Sequence, residues 1–378
     1  MHVITDLNMG GAEMVLYQLL AKQPLGEFVS EVISLTGGGP IGERIANLGI
    51  PVRSLGVKPG TPHPRLVTDL LALIGKQRPR LIQTWMYHAD LAGGLAARFC
   101  GNLPVVWGLH HTVAERGALK PSTYAVARLN ARLSHFIPAR IVCCAEATRK
   151  THLYLGYDSA KMSVISNGID TSTFHPDLSA RLAVRTELGI DSATPLIGLC
   201  ARFDPQKDHE NFLRAAGLLL AERPDVHFAL WGQGVDENNA SLMGLAKSVK
   251  IGDNLHLLGL RSDTPRLMAA LDAAALSSAY GEAFPLVVGE AMACGVPCGV
   301  TDVGDSGLIV GDTGKVVPPR DSAALAKAWV DLLALPESER LSIGVRARQR
   351  IVDHYSADKM VSAYSQLYRD IIASNNLR

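Results

Sequence analysis

Residues 277–302, SSAYGEAFPLVVGEAMACGVPCGVTD, decide the fold class of this chain. Two apolar segments, 274–278 and 296–301, are predicted as strands on either side of a loop and a short helix. Pro285 is predicted at the first helical position and Gly295 as the residue that ends the helix, since proline suits the first turn and glycine the position after the last. A strand, a helix and a second strand in this order are typical of a parallel α/β sheet.

Two carboxylates lie in this segment, Glu282 in the loop and Glu290 in the helix. The loop places Glu282 beside the unpaired N–H groups of a helix N-terminus, where an anion is favoured. Glu290 is predicted about one and a half turns into the helix. One carboxylate can then bind hydroxyls next to a phosphate and the other hydroxyls further along, as a sugar nucleotide would require. The alternative is an ordinary strand–helix–strand unit with Glu282 on a solvated loop.

Short apolar runs alternate with helical stretches along the rest of the chain. In the first half, strands are predicted at 2–5, 31–35, 52–55, 81–85, 105–109, 141–145 and 163–166. After the NGID turn at 167–170 the pattern restarts, with strands predicted at 196–201, 226–231, 255–258, 273–276 and 298–301. The 378 residues exceed the ~250–300 at which a single core stops growing. We therefore predict two Rossmann-like α/β domains, 1–170 and 171–355, and a C-terminal helix within 356–378.

Charge is unevenly distributed although the net charge is only +1. Residues 1–170 carry 17 Lys and Arg against 11 Asp and Glu, and the remainder carries 20 against 25. This asymmetry suits an anionic partner or membrane surface for the first half, or it helps the two domains dock. No apolar run approaches the ~20 residues that cross a bilayer, and no signal-peptide pattern opens the sequence. The six cysteines lack zinc-site spacing, so we expect reduced thiols in a cytoplasmic enzyme.

Two loops are candidates for phosphate binding because each follows a strand and opens a helix. The first, residues 8–13, contains Gly10 and Gly11, which allow close backbone approach at a helix N-terminus. The second, residues 200–208, delivers Arg202 and Lys207 to the crevice at the carboxyl edge of the sheet. Two cations there would stabilise the charge on a departing diphosphate. The alternatives are an ordinary turn and a pair of solvated surface cations.

A third glycine pattern, Gly37, Gly39 and Gly42, matches the dinucleotide-binding spacing G-x-G-x-x-G. It follows the second predicted strand and not the first. The next strand ends without a carboxylate to hold a ribose. We interpret it as a glycine-rich connection, with hydride transfer as the alternative.

Several of these segments together resemble the retaining glycosyltransferases of the GT-B fold called family 4. The resemblance rests on the acid followed by Phe284 and Pro285, the seven residues between the two glutamates, and the AMACGVP tail at 291–297. Ala283 stands where the family usually has glycine. The segment VISNGID with the later Phe174 and Pro176 resembles the interdomain connection of the family. The resemblance implies a cleft between the domains and a C-terminal helix that crosses back onto the first.

The resemblance also implies roles for particular residues. Arg202 and Lys207 would hold the donor diphosphate, and Glu13 would face the acceptor. A histidine at the end of the fifth strand would contact the donor sugar, with His110 favoured over His111. The implied catalytic residues are Arg202, Lys207, Glu282 and His110, and the implied donor-binding residues are Gly10, Gly11, Arg202, Lys207, Gly232, Arg261, Glu282, Phe284, Pro285, Leu286 and Glu290.

No Asp-x-Asp occurs in the sequence, so the metal clamp of other glycosyltransferases has no candidate. We expect no metal and no cofactor beyond a nucleotide-diphosphate sugar as co-substrate. By resemblance, we expect retention through a front-side route in which the departing β-phosphate draws the proton from the incoming hydroxyl. The acceptor would be a glycan or a lipid-linked precursor in polysaccharide or glycolipid synthesis. The alternatives are a sugar-nucleotide epimerase or phosphorylase of the same fold, and a non-catalytic binding protein.

Residues 116–150 are rich in cations. The segment contains seven Lys and Arg residues, and the acids within it or next to it are only Glu115 and Glu146. The seven cations are Arg116, Lys120, Arg128, Arg132, Arg140, Arg149 and Lys150. Apolar residues are interleaved among them, so this segment is either a peripheral helix at the inner face of the membrane or an amphipathic helix that covers the sheet. No nucleic-acid partner is predicted.

Overall fold

The computed structural model describes residues 1–24, 26–58, 65–112 and 120–375. The chain divides into two compact units, unit 1 (Met1–Gly168 and Ala357–Arg378) and unit 2 (Ile169–Ser356). These divisions lie close to the boundaries predicted at 170/171 and 355/356. Glu115 and Arg116 of the basic segment lie outside the described residues. Every helix in the described ranges is too short or too polar to cross a lipid bilayer.

Unit 1 contains a parallel sheet whose described strands have the order β3-β2-β1-β4-β5-β6-β7. The strands are β1 His2–Ile4, β2 Val32–Ser34, β3 Val52–Ser54, β4 Ile82–Trp85, β5 Val105–Leu109, β6 Arg140–Cys143 and β7 Met162–Val164. The helices of this part are α1 Gly11–Lys22, α2 Gly39–Ala46, α3 Leu66–Gln77, α4 Tyr87–Phe99, α5 Pro121–Leu133 and α6 Glu146–Leu155, with a 3-10 turn at Ser159–Lys161. Separate apolar clusters cover the two faces of the sheet.

Unit 2 contains a second parallel sheet, of order β10-β9-β8-β11-β12-β13. Its strands are β8 Leu196–Cys200, β9 His227–Trp231, β10 Leu255–Leu257, β11 Ala273–Leu276, β12 Cys298–Thr301 and β13 Lys315–Val317. Its helices are α7 Leu178–Glu187, α8 His209–Glu222, α9 Ala240–Ser248, α10 Thr264–Ala269, α11 Leu286–Ala293, α12 Ser306–Val310, α13 Ser322–Leu333 and α14 Glu337–Arg350, with 3-10 turns at Pro205–Lys207 and Gly252–Asn254 and a π turn at Ile351–Tyr355.

The last helix, α15 (Ala357–Asn375), belongs to unit 1 although it follows unit 2 in the sequence. One stripe of α15 is buried against β1, α1 and β4, at the helical spacing that such a stripe requires. The Tyr368 hydroxyl lies 3.3 Å from the Gln83 side chain, and the Ser365 hydroxyl lies 3.2 Å from Glu27. The buried residues of the stripe are Met360, Val361, Tyr364, Tyr368 and Ile371.

In each sheet the strand order reverses at one point, between β1 and β4 in unit 1 and between β8 and β11 in unit 2. In an open parallel sheet, a crevice forms outside the carboxyl ends of the strands at such a point, and ligands bind there. Both predicted phosphate loops follow a strand at a reversal point. Residues 8–10 lie between β1 and α1 and residues 11–13 form the start of α1, whereas residues 201–208 lie between β8 and α8.

Helix α11 begins one residue later than the sequence pattern predicts. Pro285 is the cap that precedes the helix and not its first residue, because its ψ of 98° is extended. Glu290 therefore lies about one turn inside the helix and not one and a half. The predicted stop at Gly295 is confirmed: its φ is +76°, its N–H donates to Met292 and the next N–H donates to Ala291. These are the two hydrogen bonds of a Schellman motif, which favours glycine at this position.

Candidate functional site

An ion pair joins the two loops that flank the reversal point of unit 2. Nζ of Lys207, at the end of the 3-10 turn after β8, lies 2.5 Å from Oε1 of Glu282, in the loop after β11. Both side chains are largely withdrawn from solvent, with 18% of Lys207 and 9% of Glu282 exposed. The two residues are 75 positions apart in sequence, and they meet because their strands are neighbours in the sheet.

Further hydrogen bonds fix these loops to each other. The Ser277 hydroxyl donates to the Lys207 carbonyl at 2.7 Å, and the Ala279 N–H donates to the Gln206 carbonyl at 2.8 Å. The Ser278 hydroxyl donates to the same Glu282 oxygen that binds Lys207, at 2.6 Å. Ser277, Ser278 and Gln206 were not among the residues predicted for the site. A serine pair directly after a buried strand was the available signal.

Arg202 lies in the same loop as Lys207 but is more open to solvent. Its side chain is 54% exposed, and its contacts are long, at 3.3 Å to Asp204 and 3.2 Å to Gln206. Such exposed pairs contribute little to stability, so the guanidinium can exchange these partners for an anion at small cost. Gly232, after the adjacent β9, has a φ of 145°, and a Cβ there would overlap the Ala201 carbonyl. Glycine at 232 thus allows the backbone before Arg202 to pass close to β9.

Glu290 occupies a different environment from Glu282. No described residue forms a hydrogen bond or ion pair with its side chain, and burial raises the pKa of its carboxyl to about 7. A carboxyl group withdrawn from water without a partner is costly when ionised, and it would gain from a ligand hydroxyl. Glu290 therefore has unused hydrogen-bonding capacity on the helix that starts just after Glu282.

The residues between the two glutamates present backbone N–H groups. No described side chain caps the N-terminus of α11, so its first-turn amides are not occupied by a cap. Phe284 is buried, and its ring lies 5.5 Å from that of Tyr355 between centroids. Pro285 has no N–H, which leaves Phe284 and Leu286 as the nearest amide donors at this end of the helix.

Arg261 differs from the other predicted donor-binding residues because carboxylates already engage it. Two of its nitrogens donate to Asp263 at 2.8 Å, and a third donates to Glu187 at 2.6 Å. These hydrogen bonds, first those to Asp263, raise the pKa of the guanidinium. The arrangement is that of a structural ion-pair network. The sequence could not indicate it, because Glu187 lies 74 positions away.

The glycine loop of unit 1 contains a buried carboxyl group. Gly10 precedes α1 with an extended backbone, and a Cβ on Gly10 would overlap the carboxyl of Glu13. Burial, with a smaller effect from the charge of Asp6, raises the pKa of Glu13 to about 7. A Cβ on Gly11, in contrast, would meet no described atom within 4 Å. Open space thus lies over Gly11 at the helix N-terminus, and the Glu13 side chain occupies the space over Gly10.

The two histidines after β5 differ in their surroundings. The His110 ring stacks on Trp85, with 5.0 Å between centroids, and no described residue pairs with either of its buried ring nitrogens. Burial, followed by the neighbouring His111, lowers the pKa of His110 to about 3, so the ring is neutral at physiological pH. His111 stacks on Tyr87, with 6.3 Å between centroids. In the described ranges no three His, Cys, Asp or Glu side chains are arranged to hold a metal ion.

Comparison with known proteins shows the family. Residues 194–334 match the model of glycosyl transferases group 1, and residues 9–173 match the model of glycosyltransferase family 4. The two matches cover most of the chain and include the first strand loop, β5, β8 and α11. The chain belongs to the group 1, family 4 glycosyltransferases. The family predicted from the glutamate segment is thereby confirmed.

Two curated relatives illustrate the range of this glycosyltransferase family. The UDP-Gal:alpha-D-GlcNAc-diphosphoundecaprenol alpha-1,3-galactosyltransferase of Escherichia coli is 25% identical over 314 residues, which cover 81% of this chain and 79% of that protein. The N-acetyl-alpha-D-glucosaminyl L-malate synthase of Bacillus anthracis is 30% identical over 191 residues, about half of each protein, at 50% and 49%.

Solved structures share the fold of this glycosyltransferase over nearly its whole length. Anabaena HepE in complex with UDP has a TM-score of 0.83 at 21% identity, covering 98% of this chain and 99% of that one. The sucrose-phosphate synthase of Thermosynechococcus elongatus has a TM-score of 0.81 at 21% identity, with 99% of both chains covered. The predicted GT-B class, with two Rossmann-like domains of parallel sheet, is confirmed.

Proposed function

We propose that this glycosyltransferase moves a sugar from a nucleotide-diphosphate sugar to a hydroxyl of a glycan or lipid-linked acceptor, in polysaccharide or glycolipid synthesis. The Lys207–Glu282 pair at the reversal point of unit 2 is the observation that carries the proposal. It places a cation and a carboxylate side by side at the carboxyl edge of the sheet, where open parallel sheets bind ligands. HepE was solved with UDP and with UDP-glucose, and the galactosyltransferase of Escherichia coli is named for a UDP-galactose donor and a GlcNAc-diphosphoundecaprenol acceptor.

In this proposal the donor diphosphate binds over Lys207, Arg202 and the amides of Phe284 and Leu286. Lys207 is held in place by Glu282, whereas Arg202 is free to turn towards the anion from its weak contacts. A fixed cation and uncapped helix amides stabilise the charge that develops as the glycosidic bond breaks. The Arg261 ion pairs favour a role in shaping the loop after β10 over direct contact with the base.

The two glutamates take separate roles. Glu282 accepts hydrogen bonds from hydroxyls of the transferred sugar, and Lys207 and Ser278 fix the position of its carboxylate. Glu290 accepts hydrogen bonds from hydroxyls of the ribose, because its carboxyl has no hydrogen-bond partner among the described residues. Gly10 and Gly11, at the start of α1, are proposed to bind the diphosphate, and His110 is proposed to donate a hydrogen bond to a hydroxyl of the donor sugar.

The proposed mechanism retains configuration and uses no metal. No described carboxylate has a motif that marks it as a nucleophile on the opposite face of the sugar, so a front-side displacement is favoured. The departing β-phosphate takes the proton of the incoming hydroxyl while Lys207 and Arg202 hold its charge. These protein cations perform the charge stabilisation that a metal ion performs elsewhere.

A lipid-linked acceptor would require contact with a membrane surface, and the exposed face of α5 suits one. Tyr124, Arg128, Leu129 and Arg132 are exposed on it, and Phe136 just beyond is 75% exposed. The sequence of α5 contains no acid. Aromatic and aliphatic side chains interleaved with arginines bind the interface of an anionic bilayer. We propose that the enzyme works at the cytoplasmic face of the membrane through this helix.

The direct test is release of nucleoside diphosphate from purified enzyme. UDP-sugars should be stable with enzyme alone and should yield UDP when a glycan or diphospholipid-linked acceptor is added. Anomeric configuration of the product, read by NMR coupling constants, decides retention. Lys207→Ala should slow release by about 10²–10³-fold, whereas Arg214→Ala, which removes an exposed cation of α8, should leave its rate unchanged. Conversion of the donor without any acceptor would indicate an epimerase, and release that requires orthophosphate would indicate a phosphorylase.

A further inference from the structure

Met86 has a backbone conformation that residues other than glycine rarely adopt. It joins β4 to α4, with a φ of 76° and a ψ of 156°. Arg78 and Asp208 also have positive φ, but their ψ values of 56° and 57° place them in the left-handed helical region that L-residues tolerate. The Met86 region is populated almost only by glycine, and such strain persists where surrounding structure imposes it, often at functional sites.

Hydrogen bonds on both sides of the residue impose this conformation. The Met86 N–H donates to the Gly108 carbonyl of β5 at 2.9 Å, and its carbonyl accepts from the Asp90 N–H at 2.9 Å. The first bond continues the β4/β5 ladder past the Trp85 and Gly108 pair. The second begins α4. The turn therefore fixes the end of β4, at the reversal point of unit 1, against the strand that leads to His110.

The ring of Trp85, the residue before this turn, forms a platform for His110. The two rings stack at 26° with 5.0 Å between centroids. Trp85 is fully buried, its indole N–H lies 3.3 Å from His2 Nδ1, and its ring lies 6.0 Å from that of Tyr364. The Tyr364 and His2 rings pack against the Trp85 platform, and the Met86 turn fixes the backbone directly after it.

Nothing described holds His110 by hydrogen bonds, because both buried ring nitrogens lack a partner. Stacking and backbone position must then set the plane of the ring. A Cβ on Gly108 would lie 3.5 Å from His110 Nε2 and 2.7 Å from the Thr84 carbonyl, so the strand ends are closely packed beneath the histidine. A small change at the end of β4 would therefore be transmitted to the imidazole.

We propose that Met86 and Trp85 are positioning residues for His110, with the strained turn holding the indole platform that sets the plane of the imidazole. The proposal rests on the proposed function, in which His110 donates to the donor sugar. Strain at Met86 is then retained because the relaxed turn would misplace the ring, and a misplacement of about 1 Å can cost up to about 100-fold in rate.

The test compares Met86→Gly with Arg78→Gly, which removes a positive-φ side chain at the end of α3. Both variants should keep or raise Tm, since glycine relieves the strain. Met86→Gly should lower kcat/KM by about 10- to 100-fold, and Arg78→Gly should leave it unchanged. In a His110→Ala background, Met86→Gly should have no further effect. Trp85→Leu should show the same loss and the same non-additivity, which covers the case in which Met86→Gly does not fold.

Full activity of Met86→Gly, or an equal loss with and without His110, would overturn the proposal. Histidine NMR separates this outcome from failure of the proposed function. If the unaltered enzyme transfers no sugar, or if His110→Ala has no effect on transfer, the function assigned to His110 fails. The ring resonances of His110 should still move in Met86→Gly and stay in place in Arg78→Gly. Unmoved resonances in Met86→Gly would contradict the positioning itself.

Discussion

Lys207 and Glu282 bind each other, so a substitution at either residue changes what the other can do. Both side chains are largely buried, and removing one partner leaves the other charge unpaired and shielded from water. Ser278 still donates to Glu282 when Lys207 is absent. The glutamate is therefore better protected than the lysine, and we expect Lys207 variants to remain folded.

Steady-state kinetics should separate the roles of four residues. Lys207→Ala and Arg202→Ala should mainly lower kcat, by about 10²–10³-fold, because they act on charge developed in the transition state. Glu290→Ala should mainly raise the donor KM, because a ribose contact binds ground and transition states alike. Glu282→Ala should do both. Arg214→Ala is the control; near-normal kcat in both cation variants, with loss of turnover only in Glu290→Ala, would reverse these assignments.

Stability should depend on pH through Glu290. Its folded pKa of about 7 lies above the ordinary value of 4.5, so the folded state binds more protons between these values. The stability that protonation gives is present below pH 4.5 and is lost as pH rises through 7. Glu290→Gln should therefore gain stability relative to the unaltered protein between pH 5.5 and 8, by about 2 kcal/mol, because about 1.5 pH units of this interval lie below the folded pKa. Urea unfolding at both pH values measures the difference; an equal difference at both would contradict it.

The position of a residue could be predicted from the sequence where it depends on one local motif, and contacts between residues distant in sequence could not. The spacing around Lys207 and Glu282 predicted that both lie at the carboxyl edge of one sheet. The ion pair between them, and the Arg261 network, depend on which strands are neighbours. The Trp85 platform and the Met86 turn could not be predicted from the sequence, because a methionine does not indicate a backbone conformation that glycine normally adopts.

Helix α11 carries Glu290, and α14 packs against its end. The backbones meet at two glycines: a Cβ on Gly344 would overlap the carbonyl of Gly295. Gly344→Ala should destabilise the protein by about 1–3 kcal/mol, because the contact leaves no room for a methyl group. Gly244→Ala, in α9 with open space around it, should instead stabilise by about 0.5–1 kcal/mol. Denaturant unfolding checks both; a neutral Gly344→Ala would show that the helices shift freely.

The exposed face of α5 is predicted to bind anionic membranes. Leu129→Glu with Phe136→Glu should weaken binding to vesicles that contain anionic lipid, since the change removes apolar contact and adds repulsion. Leu341→Glu, at an exposed site of α14, is the matched control. Co-sedimentation measures binding. Equal binding of all three proteins would favour an ordinary amphipathic helix, the alternative raised by the sequence.

Periodicity predicted all seven strands described in unit 1 and five of the six described in unit 2. The missing strand, β13, has three residues and is followed by two prolines, too short a pattern to distinguish from a loop. The start of α11 was misplaced by one residue because proline suits both the cap and the first turn.

Turnover should not require a divalent metal. The charge of the departing diphosphate is assigned to Lys207, Arg202 and backbone amides. Activity should therefore persist in EDTA after prior dialysis. Loss in EDTA that magnesium or manganese restores, and calcium does not, would refute the assignment.

Helix α15 affects how the chain folds during synthesis. Unit 2 is continuous in sequence, so all of it is synthesised before α15. Unit 1, although translated first, lacks the helix that buries part of one face of its sheet until α15 emerges. The second unit can therefore complete its core before the first, in contrast to the usual N-terminal-first order. Nascent chains that stop before Ala357 should expose Val15, Leu16 and Leu19 to chaperones.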